Sequence, residues 1–125
     1  MAATVTITTI NSGEKYFTKH IAITGDASGE VTAQELFSAA EIGTAAHIDS
    51  IEFQTAGTAA VIKWAATAPT VAVVLPTDRH GRIDYRNVGG LPSNAGAGKT
   101  GVLTLTTVGL VATDYLTATI VIRKS

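Results

Sequence analysis

The chain has no cysteine among its 125 residues. Disulfides and thiolate-bound metals therefore cannot hold it together, and its redox compartment leaves no mark on the sequence. Aromatics are sparse, at one Trp, three Tyr and three Phe, so few remain for an exposed stacking row once the apolar strand faces are supplied. Charge is thin as well: 15% of residues are charged, the formal net charge is −1 and the isoelectric point is near 6.3. A nucleic-acid binder normally carries a basic patch or stripe; here Arg79, Arg82 and Arg86 are interleaved with Asp78 and Asp84, as on a mixed, solvated face. No apolar run approaches the roughly 20 residues of a membrane-spanning helix. Met1 to Thr8 lacks a basic leader region and alternates, so it reads as mature chain rather than signal peptide. No internal repeat of solenoid or propeller period is present.

What the chain does have is alternation. Ala3 to Ile10 sets Ala3, Val5 and Ile7 on one face and threonines on the other. After the turn Asn11 to Lys15, Tyr16 to Thr24 places Phe17, Lys19, Ile21 and Ile23 on one side, with Lys19 expected at the rim of that face. Gly25 to Gly29 is a turn cluster. Val31 to Ala40 admits either a short helix, capped by Thr32-x-x-Glu35, or an irregular edge strand, with strand-plus-turn preferred. His47 to Gln54 turns Ile51 and Phe53 inward, with Asp49, and His47 as a second candidate, toward the rim of that face. Ala60 to Ala66 carries Ile62 and Trp64 opposite Val61 and Lys63. Val71 to Leu75 is continuously apolar, which predicts a strand covered on both faces. Arg82 to Arg86 and Val102 to Thr107 follow. Asp114 to Arg123 closes the pattern, Leu116, Ala118, Ile120 and Ile122 facing one way and Tyr115, Thr117, Thr119 and Val121 the other.

Eight or nine short strands with at most one short helix predict an all-β fold, an antiparallel β-sandwich of jelly-roll type, as a single domain over residues 1–125. At this length roughly 65% of the unfolded surface can be buried, enough for a real core. Phe53, Trp64, Ile83, Tyr85, Leu103 and Ile120 are the expected core anchors.

Signals for chemistry are weak. Ala95-Gly96-Ala97-Gly98-Lys99-Thr100 looks like the end of a phosphate-binding loop. Ser93, however, stands where that motif needs its first glycine, and the following run has strand period where the anion site needs a helix N-terminus. A surface loop with a solvated Lys99 is the better reading. His20, His47 and His80 are far apart, and His47-x-Asp49 alone is short of the four ligands of a closed metal site. Asp78-Arg79-His80 falls on an exposed turn, and no nucleophile elbow surrounds any serine. No catalytic residue, cofactor or metal is assigned, and an enzyme is not expected.

Three segments carry a resemblance: Ile62-Lys63-Trp64-Ala65-Ala66-Thr67-Ala68, then Gly81 to Leu91 (GRIDYRNVGGL), then Asn94 to Gly101 (NAGAGKTG). Together, across Ile51 to Lys124, they resemble small structural proteins of tailed bacteriophages. The pattern is a W-x-A-T strand, a hydrophobic-D-aromatic segment ending in G-G-hydrophobic, and an N-x-G-x-G-x-T-G loop. The resemblance implies a capsid decoration, or cement, protein: a β-sandwich made in the host cytoplasm that binds the outside of the major capsid protein lattice, commonly as a trimer. Its expected contacts are the threonine-rich start, with Ala2, Thr4, Thr6 and Thr8 on an N-terminal arm or edge strand within residues 1–10, and the loop bearing Pro92, Asn94 and Lys99. A phage tail or receptor-binding module, or a small carbohydrate-binding sandwich using an aromatic row with Trp64 or Tyr85, is the alternative.

Overall fold

Wherever β-branched and polar residues alternate, the chain extends. The computed structural model describes residues 4–25, 30–43, 46–67, 69–88, 90–92 and 101–124. In chain order these form strands β1 (Thr4–Ser12), β2 (Tyr16–Thr24) and β3 (Gln34–Phe37), a helical turn α1 (Ala39–Ile42), and strands β4 (His47–Ala56), β5 (Ala59–Trp64), β6 (Thr70–Leu75) and β7 (His80–Asp84). A 3-10 turn (Arg86–Val88) leads to the two-residue β8 (Leu91–Pro92), then to β9 (Leu103–Val108) and β10 (Tyr115–Arg123). The glycine-rich connection is thus followed by a strand, not by the helix that a phosphate loop requires.

Two antiparallel sheets result. One runs β1-β2-β10-β4-β7, with β8 also paired to β4; the other runs β3-β9-β5-β6. The chain changes sheet at most connections, and β2-β10-β4-β7 against β3-β9-β5-β6 is jelly-roll order, with β1 added at one edge. Between the sheets lie Ile21 and Ile23 of β2, Leu116, Ile120 and Ile122 of β10, and Ile51 of β4. The other sheet contributes Leu103 and Leu105, Ile62 and Trp64, and Leu75, all essentially buried. Of the expected anchors, Phe53, Trp64, Leu103 and Ile120 are buried, whereas Ile83 and Tyr85 pack half-buried against the core at the β7 edge. Hairpin closure between β4 and β5 requires Gly57, whose φ is +78° and where a Cβ would collide with the Asp114 carboxylate.

Lys19 is not at a rim. It is buried among the inward residues of β2, because the segment preceding β4 folds over it. Its Nζ donates to the Leu36 carbonyl at 2.8 Å and pairs with the Glu41 carboxylate at 2.8 Å, and it lies 5.3 Å and 5.0 Å from the Phe17 and Phe37 ring centroids. The two rings themselves meet edge-on at 5.8 Å. A lysine can occupy an inward position only with such partners, since an unpaired buried ammonium is strongly disfavoured.

Residues 31–40 do contain the preferred strand, but the capping box lies six residues later than the Thr32/Glu35 spacing suggested. Ser38 Oγ accepts from the Glu41 amide, and the Glu41 carboxylate accepts from the Ser38 amide, which starts α1. Glu41 therefore both caps the helix and neutralises Lys19. The run Val71 to Leu75 is not covered on both faces: Val73 and Leu75 are buried, but Val71 and Val74 are 48% and 55% exposed, because only one face of β6 meets the other sheet.

Burial alone would raise the Glu41 carboxyl, but hydrogen bonds from Lys19 and the Ser38 backbone, with the Lys19 charge, outweigh it and hold the group below its usual 4.5. A depressed folded-state value means that this stabilisation is complete above the unfolded value and is lost as pH falls through the folded one. Glu41→Gln keeps the cap but not the charge, and should cost about 2 kcal/mol at neutral pH, below the usual range for a fully buried pair because Glu41 is partly solvated. In urea titrations the gap between wild type and variant should close on acidification below pH 4.5. A gap that is constant with pH would exclude the ion pair as its source. Gly81, in β7, is a separate case: an added Cβ would meet only Phe53 Cζ, at 4.0 Å. Gly81→Ala should therefore raise stability by about 0.5 kcal/mol through lost unfolded-state entropy, read as a higher urea midpoint with an unchanged slope.

Candidate functional site

The two sheets turn very different outer faces to solvent. On the four-stranded sheet, cross-strand register sets Glu35, Thr104, Lys63 and Val71 in one row. The next row is Thr106, Val61 and Val74, and beyond it Val108 pairs with Ala59. Val108 is 53% exposed, so with Val71 and Val74 three valines stand in water on one face. Isolated surface valines are ordinary; several on adjoining rows of one sheet make an apolar patch.

On the six-stranded sheet the outer rows are polar. One runs Thr8, His20, Thr119, Glu52, Arg82 across β1, β2, β10, β4 and β7. The next runs Thr6, Ala22, Thr117, Gln54, His80 in the same strand order. Short side chains on the central strand β10, with longer ones on either side, leave a trough. Its larger part is an open depression of about 590 Å³, bordered by His20, Glu52, Gln54, His80 and Arg82 over Thr117 and Thr119. A smaller depression of about 410 Å³ adjoins it, reaching Tyr16, Asp49, Ser50, Arg86 and Val121 and sharing Arg82. His20 Nδ1 and Thr119 Oγ1 are hydrogen-bonded at 3.0 Å, and Gln54 Nε2 donates to Tyr115 Oη at 3.4 Å.

At the trough's margin, Asp84 is gripped by Arg86 through Nε at 3.1 Å, Nη2 at 2.9 Å and the backbone amide at 2.9 Å, with Arg82 Nη2 3.9 Å away. The Arg86 hydrogen bonds and charge, aided by Arg82, draw its carboxyl down to about 2, and the same pairing raises Arg86. Burial raises the Tyr85 phenol. These carboxylate and guanidinium groups are exposed, so the cluster shapes the surface more than it stabilises the fold.

None of the sequence candidates for chemistry assembles into a reaction centre among the described residues. Asp78 Oδ1 accepts from the Gly57 amide at 2.7 Å and Arg79 bonds Thr55 through its backbone, so both staple the β6–β7 turn to the β4–β5 hairpin. A bulge at Asp49, which has no partner in β10, breaks the simple alternation that would align it with His47. Among the described residues no three His, Asp or Glu side chains are grouped closely enough to hold a metal ion.

The expected contact residues separate. Thr4, Thr6 and Thr8 are exposed on β1, which is an edge strand of the chain's own sheet. Pro92 lies in β8, paired with His47 at the far side of β4. β2, β10 and β4 intervene, so the two candidate contacts sit at opposite edges of one sheet, roughly 19 Å apart at the usual strand spacing. Ala2, Asn94 and Lys99 lie outside the described residues. Trp64 is buried and Tyr85 half-buried, so neither forms the aromatic row of the carbohydrate-binding alternative. Sequence reasoning missed the valine patch and the trough. Each residue's face was readable from its parity, but which strands lie side by side was not. A scan against protein-family models finds no match for the chain, and a search of curated proteins finds no significant relative.

Proposed function

We propose that this chain is a structural protein of a tailed-phage virion, a decoration protein that binds the outer surface of the head and stabilises it. In this reading it assembles as a trimer, with the major capsid protein as its partner. The observation that carries the proposal is the valine patch of Val71, Val74 and Val108 on the four-stranded sheet, together with the resemblance of Ile62–Ala68, Gly81–Leu91 and Asn94–Gly101 to such proteins. Apolar side chains exposed on one rigid face are what an adhesive subunit needs, because burying them against a lattice supplies affinity without any catalytic group. A protein that binds the assembled state and bridges neighbouring subunits stabilises that state by mass action. Jelly rolls recur in viral capsid proteins; that is a likeness of fold, and the surface has to carry the function.

In this account the four-stranded sheet faces the capsid, and the charge-free β1 edge, TVTITTINS, lies beside a neighbouring copy. Edge strands without lysine or proline lack the usual guard against pairing. Val74→Asp combined with Val108→Asp should cost about 1 kcal/mol of stability, because both positions are exposed and the two small losses add. The same pair should weaken co-sedimentation with undecorated heads at least tenfold, about 1.4 kcal/mol. Undiminished sedimentation would remove this face from the interface. Thr6→Lys should lower the trimer mass measured in solution without that effect on the head-binding face.

A further inference from the structure

We propose that the trough on the outer face of the six-stranded sheet binds a neutral oligosaccharide. This inference is independent of the decoration reading, since it concerns the opposite face of the sandwich.

Shape comes first. The two adjoining depressions share Arg82 and follow β10 from Thr117 to Val121, roughly 14 Å at the rise of an antiparallel strand. That suits an extended ligand better than a single small molecule. A sheet face offers only side chains, since its amides and carbonyls are spent in the ladders on both sides of β10. An extended peptide gains its affinity by adding to a free strand edge, which this floor does not provide. The ligand must therefore take its hydrogen bonds from side chains.

Charge narrows the class. Glu52 stands in the middle row between Thr119 and Arg82, and among the described residues its carboxylate makes no hydrogen bond. Arg82 is drawn toward Asp84 instead, at 3.9 Å. The smaller depression is lined by Arg82 and Arg86 together with Asp49, so each depression holds a carboxylate as well as a guanidinium group. A phosphate or sulfate laid along the trough would meet a carboxylate in both, whereas sugar hydroxyls can donate to the carboxylates and accept from the guanidinium groups. Gln54, His20 and Thr119 add mixed donors and acceptors within two rows, the set that a polyol with hydroxyls pointing several ways can satisfy.

Aromatic placement supplies the remaining observation. Tyr16 and Tyr115 are 40% and 42% exposed, the only aromatics among the exposed large side chains of the described residues. Tyr16 borders the smaller depression, and Tyr115 stands one row beyond Thr117, hydrogen-bonded to Gln54. Each offers an apolar ring with a polar tip, suited to lie against the C–H face of a pyranose while its hydroxyl stays hydrated. The site thus has a ring at each end and hydrogen-bonding groups between.

The test uses the full chain on an array of neutral glycans (glucans, mannans, galactans and N-acetylhexosamine oligomers), with dextran sulfate as an anionic comparison. At least one neutral class should bind, and titrating it should shift the amide resonances of Gln54, Thr117 and Thr119. Glu52→Ala and Tyr115→Ala should each weaken that binding tenfold or more while leaving the urea midpoint and head sedimentation unchanged. Three outcomes would overturn the proposal: no neutral glycan bound at millimolar concentration, binding confined to dextran sulfate, or neutral binding that neither substitution weakens. Loss of head sedimentation in the Val74→Asp/Val108→Asp protein, with glycan binding retained, would show that the two faces act separately.

Discussion

The structure depends on burying one face of each sheet against the other. Ile21, Ile51 and Ile120 on one side and Ile62, Leu75 and Leu105 on the other are fully enclosed, each contributing about 2 kcal/mol of transfer free energy relative to exposure. Much of that gain is consumed by chain entropy, so pairing register is under strong constraint: slipping a strand by one residue would turn its aliphatic set outward and its threonines inward. This constraint also builds the outer surface. Because β10 must sit between β2 and β4 for its leucine and isoleucines to be covered, His20 meets Thr119 across 99 positions of sequence. Such long-range pairing makes for slow folding, and it fixes which outward side chains become neighbours.

Lys19 shows how one inward charge can be carried. The salt bridge does not by itself argue for stability, since apolar replacements of buried pairs are often as stable. Its effect is positional. Glu41 has to cap α1 and reach Nζ at once, which ties the segment between β3 and β4 over the end of the core. Glu30 acts similarly at another crossing, accepting from the Gly109 and Leu110 amides at 2.7 Å and 2.6 Å. In both places a carboxylate satisfies groups that a jelly-roll connection would otherwise leave unpaired.

Much of the frame was legible in the sequence because period-two alternation is a direct imprint of two-sided strands. Phe17, Ile21, Ile23, Ile62, Trp64 and the Leu116–Ile122 series all face as their parity indicates. Misreadings came where one residue type serves two ends. Thr32-x-x-Glu35 and Ser38-x-x-Glu41 fit the same capping pattern, and only the partner at Lys19 distinguishes them. The run Val71–Leu75 looked like a central strand because valine on an uncovered face and valine in a core are the same letter. The candidate site was less legible still. His20, Glu52, Arg82 and Thr119 are unremarkable singly, and they become a row only once β7, β4, β10 and β2 are laid side by side, which parity does not specify.

One outer face carries exposed valines among polar side chains and the other is polar and grooved, and in the proposed reading each face has its own kind of contact. The protein's function, in this account, lies in adhesion through those faces. Hydroxyl-radical footprinting of the free chain and of the chain on phage heads would test that division most directly. The account predicts that Val71, Val74 and Val108 become protected on heads while Tyr115 and His80 stay as reactive as in the free protein. Equal reactivity of the valines in both states, or protection concentrated on Tyr115 and His80, would contradict it.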